Sequence, residues 1–221
     1  MYSVLFTITG LATLSSAAIQ SITGHTDWRS TIGVPGCQVS TDDVSYFPST
    51  GTCDSLCVKV KNTATGVELP LLKIGSSAGA WDVSWMAYVK LMGQGDNPDL
   101  QAASKAAYGG GSPMEVTDVS MDQCLHLIKY EEGGQKKIPF LAKSPNFQVA
   151  CQADSPDSWV AKNSALLDFN DDCCLTGKMQ TCTGTSFVTC ADGTQAGYAQ
   201  GPTGMTVINT GVDGKQYECK G

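Results

Sequence analysis

Positive charge is scarce in this chain of 221 residues: 14 Lys and Arg face 21 Asp and Glu, the net charge is −7, and Arg29 is the single arginine. Neutralising a phosphate backbone takes a basic face that such a chain cannot assemble, which excludes nucleic acid as a partner. Histidine is nearly as rare, with His25 and His126 alone, and no two cysteines stand in a Cys-x-x-Cys spacing. A zinc cluster needs such ligands close together, so no metal and no other cofactor is expected. No Asn-x-Ser/Thr sequon occurs, which excludes N-linked glycan but leaves the Ser- and Thr-rich start open to O-linked sugar. Gly109-Gly110-Gly111 lacks the lysine of a phosphate loop.

Charge is also missing from residues 1–18, which carry an apolar core over residues 4–14 and end in Ser15-Ser16-Ala17-Ala18. That is the pattern of a secretory signal peptide, with the free amino terminus supplying the positive charge that no Lys or Arg provides. The core is shorter than the roughly 20 apolar residues a membrane span requires, and no later run approaches that length. The expectation is a secreted, extracellular monomer with no membrane partner.

Cysteine, by contrast, is abundant: Cys37, Cys53, Cys57, Cys124, Cys151, Cys173, Cys174, Cys182, Cys190 and Cys219 all lie beyond residue 18. An even number in a secreted chain points to disulfides and leaves no reason to expect a reactive thiol. Their distribution divides the chain into a domain at 19–151 and a Cys-rich module at 152–221. The second part has too few apolar residues to fold on its core alone, so disulfides are expected to hold it.

Strand signals dominate the rest. Residues 56–60 and 67–74 alternate apolar and polar side chains on either side of an Asn62-to-Gly66 turn, which predicts a hairpin. Residues 114–119 alternate in the same way, 147–151 do so more weakly, and short strands are expected at 186–190, 205–209 and 216–219. Residues 131–137 read as a polar turn, and an Ala-rich helical piece is expected at 100–107. One helix stands out, because Trp85, Met86, Val89 and Met92 recur at helical spacing behind Ser84 or Asp82 as cap. The fold class is mainly β.

The order of these features is specific: Cys57-Val58-x-Val60-x-Asn62-x-x-Thr65-Gly66, a second strand to Ile74, a Gly/Ser loop, Trp81-Asp82-Val83-Ser84, and a later strand ending near Cys124. It resembles the barwin and expansin type of six-stranded double-psi β-barrel, over roughly residues 24–124. Two positions depart from that family. Ala80 stands where expansin-like chains place a histidine two residues before the aspartate, and Ile74-Gly75-Ser76-Ser77-Ala78 replaces an Asp and Cys.

The resemblance implies that Asp82 faces the glycosidic bond in an open groove, with Asp27 as the best second carboxylate and Asp118 a weaker choice. A carboxylate beside Trp81 would sit in a poorly hydrated setting that favours general-acid chemistry. An aspartate at a helix start would instead serve only as a cap. Trp81, Trp28 and Tyr46 are the aromatics that would stack on a sugar ring, whereas Trp85 belongs to the helix core. Trp159, Phe187 and Tyr198 offer similar faces in the Cys-rich module, which is faintly similar to secreted fungal chitin-binding repeats. His126 follows Cys124 in an apolar run, where a structural role is expected.

The leading expectation is a non-hydrolytic carbohydrate-associated protein acting on cellulose, chitin or pectin at a cell wall, or as a virulence effector against a host surface protein. The alternatives are a glycan-cleaving hydrolase or lytic transglycosylase using Asp82, and an elicitor or enzyme inhibitor recognised as a protein surface.

Overall fold

The computed structural model describes residues 17–96, 111–198 and 200–220. Its first elements are β1 (Ala18–His25), β2 (Val44–Phe47), β3 (Cys57–Asn62), β4 (Glu68–Ser76), β5 (Trp81–Ser84), α1 (Trp85–Leu91) and β6 (Ser112–Asp118). The six strands close into a barrel in the order β1-β5-β2-β4-β3-β6. The pairs β1·β5 and β2·β4 are parallel and the other four are antiparallel, so the barrel is mixed.

Local chemistry sets the β3–β4 hairpin. Asn62 Oδ1 accepts from the Ala64 backbone N–H at 2.8 Å, and Gly66 adopts φ +74°, which glycine tolerates without a Cβ clash. Cys57 then falls opposite Leu72 and Lys61 opposite Glu68. Alternation sends Val58, Val60, Leu71, Val83, Met114 and Ile22 into one buried cluster, where Trp85, Tyr88 and Val89 of α1 join them. Gly24 lets α1 lie directly on β1, because an added Cβ would meet the Trp85 ring at 2.6 Å.

The outer face of β2 and β4 is equally apolar, and it packs against the rest of the chain. That part comprises β7 (Glu131–Glu132), β8 (Gln135–Lys136), β9 (Ile138–Leu141), α2 (Asn146–Asp154), α3 (Trp159–Lys162), β10 (Ser164–Phe169), β11 (Gly177–Thr183), β12 (Thr189–Cys190), β13 (Ile208–Thr210) and β14 (Gln216–Glu218). Strands β12-β11-β10-β9 form a four-stranded sheet, with β9 and β10 parallel, so the sheet draws on both sides of residue 151. Val44, Tyr46, Leu72 and Ile74 from the barrel share a second core with Phe140, Leu167 and Phe169.

All ten cysteines are paired: Cys37–Cys174, Cys53–Cys151, Cys57–Cys124, Cys173–Cys219 and Cys182–Cys190. Such bonds persist in oxidising compartments outside the reducing cytosol. No helix among the described residues is long and apolar enough to cross a membrane.

Two expectations need correction. Residues 147–151, read as a strand, lie in α2. Five residues of weak alternation cannot outweigh the helix formers Ala150, Gln152 and Ala153, and the helical spacing of Gln148 and Cys151 places both in the interior. The helix expected from Asp82 starts only at Trp85, because Val83 is drawn into the barrel interior as part of β5. Ser84 occupies the cap position, but its hydroxyl donates to the Asp42 backbone oxygen at 2.6 Å rather than capping the helix. The expected helical piece at 100–107 and most of the signal segment lie outside the described residues. Ala18, the last signal residue in the sequence reading, is the first residue of β1 and pairs with Val116.

Candidate functional site

Strand β5 runs between β1 and β2, and its register sets Asp82 beside Thr23 on one side and Tyr46 on the other. The Thr23 hydroxyl donates to Asp82 Oδ1, so the carboxylate is held on the outer face of the barrel wall. Trp81 precedes it in the same strand and turns the opposite way, packing its ring 4.7 Å from Phe47 at the margin of the barrel interior. Strand geometry therefore sends this indole and this acid to different faces, and a cleft containing both does not form. The alternative reading of Asp82 as a helix cap is also set aside, since it sits inside a strand.

What gathers around Asp82 comes from β1 and β2. The His25 ring meets the Tyr46 ring edge-on, 4.9 Å between centroids, and the Tyr46 hydroxyl donates to the Asp27 backbone oxygen at 3.5 Å. Burial pushes the Tyr46 phenol far up, and the neighbouring carboxylates of Asp172, Asp27 and Asp82 add to that, so the ring stays protonated and can donate. His25, Asp27, Asp42 and Tyr46 line a narrow recess of about 10 Å³, room for about one water, with Asn209 and Thr210 of β13 also in its wall. Burial, then the charge of Asp43, raises the pKa of Asp42.

Asp27 and Asn209 also border a second, roomier recess of about 310 Å³, with Trp28, Arg29 and Tyr217 in its walls. Tyr217 is 50% exposed, and its hydroxyl donates to Asp213 at 2.6 Å, which fixes the ring's orientation. Trp28 is only 4% exposed and its indole N–H lacks a hydrogen-bond partner. It forms packing beneath the recess rather than an open platform. Behind it, the Ser30 backbone N–H donates to Asp172 Oδ2 at 2.6 Å, and the Gly36 N–H to the Asp172 backbone oxygen at 2.8 Å. These bonds and the Cys37–Cys174 bridge fix the loop that carries Asp27.

The structure thus brings Asp27, Trp28, Tyr46 and Asp82 to one region, and leaves Trp81 on the far side of β5. Asp118 lies on β6 and pairs with Lys73 at 2.6 Å. His126 is exposed rather than packed. Asp42 and Tyr217 escaped the sequence reading. The Asp42-Asp43 doublet was the available signal for the first, whereas Tyr217 reaches the site only through pairings that spacing does not encode. Gly75-Ser76-Ser77-Ala78-Gly79 has the spacing of a nucleophile elbow, yet it joins two strands, and the Ser77 hydroxyl is bound to the Ala80 backbone oxygen. Asp168, Cys182 and Cys190 cluster tightly enough to suggest metal ligands, but the two sulfurs are bonded to each other and cannot serve as thiolates.

No family model, no curated protein and no solved structure matches this chain.

Proposed function

We propose that the protein is a secreted, non-hydrolytic, carbohydrate-associated protein whose barrel is of the double-psi, barwin/expansin type, acting at a polysaccharide wall or a host interface. The observation that carries this reading is the recess bordered by Asp27, Arg29, Asn209 and Tyr217 on the barrel flank. It combines a half-exposed aromatic face with charged and amide groups, the mixture that stacks on a pyranose ring and fixes its hydroxyls. Binding is favoured over cleavage for a steric reason. Glycoside hydrolysis needs the scissile bond between two carboxyl groups, and the recess that Asp27 and Asp42 share has room for about one water.

The test is retention of the purified, disulfide-intact protein on insoluble cellulose, chitin and pectin. Retention on at least one polymer, reduced at least tenfold in Tyr217→Ala, is the expected result. Failure to bind any of them removes the reading.

One observation favours a second reading, a glycan-cleaving enzyme. Asp42 holds its proton to higher pH than an ordinary carboxyl group and shares a recess with Asp27, so the two could divide the roles of acid and carboxylate. Reducing-sugar release by the wild type that is lost in both Asp42→Asn and Asp27→Asn would establish it.

A further inference from the structure

A separate recess of about 330 Å³ opens between α2 and the β10–β11 pair, and none of its lining residues belongs to the recesses at Asp27. Gln148 from α2 lines it, is 4% exposed, and has a side-chain carbonyl oxygen with no hydrogen-bond partner. The Ser164 hydroxyl at the start of β10 is buried in the same wall and is equally unpartnered. Buried polar atoms are ordinarily satisfied, because leaving one unpaired forfeits its hydration with no return. Two of them on residues that line one recess suggest that their partners arrive with a ligand.

The rest of the lining sets the ligand's chemistry. Thr181, Thr183 and Thr185 contribute hydroxyls, Gln152 an amide, and Leu166 an apolar patch. The charged groups are Lys137 and Glu132, which are ion-paired with each other and so present little net charge to a guest. A charged ligand would lack a counter-charge there, whereas a neutral one must supply a donor for the Gln148 oxygen.

We infer that the recess between α2 and β11 is a binding site for a short neutral saccharide, with Gln148 and Ser164 hydrogen-bonding its hydroxyls. The site is independent of the polysaccharide recess at Asp27 and can fail or stand without it.

The experiment is calorimetric titration of the whole disulfide-bonded protein with soluble cello-, chito- and manno-oligosaccharides, with oligogalacturonate as the anionic comparison and an unrelated neutral peptide as the macromolecular one. A neutral oligosaccharide is expected to bind one to one, at least tenfold more tightly than oligogalacturonate. Thr183→Arg, an exposed position at the mouth, should weaken it at least tenfold. Gln148→Leu should weaken it severalfold without lowering the melting temperature, because the wild-type oxygen has no internal bond to lose. Tyr217→Ala and Asp82→Asn should leave this titration unchanged, which separates it from the polymer-retention assay. Absence of binding by every neutral oligosaccharide, undiminished affinity in Thr183→Arg, or binding of the peptide alone would overturn the inference.

Discussion

Replacing Cys37 and Cys174 together with alanine would release the longest covalent loop in the protein, since these residues lie 137 positions apart. Cys182 and Cys190 lie only 8 apart and close the shortest. Cys53–Cys151 still short-cuts the chain when Cys37–Cys174 is removed, so the effective loop is about 40 residues; if the cross-links act mainly by restricting the unfolded chain, it is worth about 4 kcal/mol at 25 °C and the short one about 2.5 kcal/mol. Truncation of the buried Cys174 sulfur adds a small void, costing on the order of 1 kcal/mol at most. The hydrogen bonds from Gly36 and Ser30 to Asp172 remain in the variant, so few folded-state contacts are lost with the bridge. Guanidinium unfolding followed by tryptophan fluorescence reads the difference, with the buried Trp28 and Trp85 as reporters. The long-loop double variant should lose about 1.5 kcal/mol more stability than Cys182→Ala/Cys190→Ala and show a larger m-value, because its unfolded chain expands further. Equal losses, or a greater loss for the short loop, would refute the entropic account and move the effect to packing within the folded state.

Other perturbations follow from single contacts. Asp42 has a folded pKa raised above 3.8 by burial, so its ionised form opposes folding at neutral pH, and this opposition fades as pH falls through the raised value toward 3.8. Asp42→Asn should therefore stabilise the protein at pH 7 and leave it unchanged at about pH 3.5, below both folded and unfolded pKa values; a gain of equal size at both pH values would assign the effect to something other than charge. Gly24→Ala places a Cβ 2.6 Å from the Trp85 ring, and the forced shift of α1 should cost about 1–3 kcal/mol in chemical denaturation. Asp118→Ala removes the carboxylate 2.6 Å from the nearly buried Lys73 ammonium; because Asp118 is itself largely exposed, the loss should be about 1–2 kcal/mol, and Lys73→Met in the same background should recover most of it.

Much of the barrel was legible because its determinants are local. The Asn62-to-Gly66 turn and the flanking alternation specify β3, β4 and their register, and the Ala-poor, Val-rich run at 114–119 specifies β6 within a residue or two. The hairpin at residues 131–137 likewise follows from Gly133 and Gly134, both at positive φ. The sequence was ambiguous where tertiary burial decides between periods. Residues 147–151 could alternate as a strand or wind as a helix, and the tie of Cys151 to Cys53 together with burial of Gln148 selects the helix. Residues 81–84 show the reverse, since a helix-like pattern gives way to a strand when Val83 enters the barrel. Disulfide partners were illegible for a combinatorial reason, as ten cysteines admit many pairings and spacing ranks none of them.

The candidate site illustrates how far residue identity and residue direction can diverge. Asp82 and Trp81 looked like one functional unit because they are adjacent, but adjacency in a strand guarantees opposite faces. The partners that Asp82 does have, Thr23 and Tyr46, are 59 and 36 positions away in sequence and reach it only through the parallel β1·β5 and antiparallel β2·β5 pairings. By the same logic the aromatic face beside Asp27 is Tyr217, delivered by a C-terminal hairpin that Cys173–Cys219 pins to the second core. If polymer binding resides there, it should depend on that bridge as strongly as on the ring it positions. Cys173→Ala/Cys219→Ala should then abolish retention on polysaccharide while leaving the barrel folded, and a variant that keeps full retention would place the binding face elsewhere.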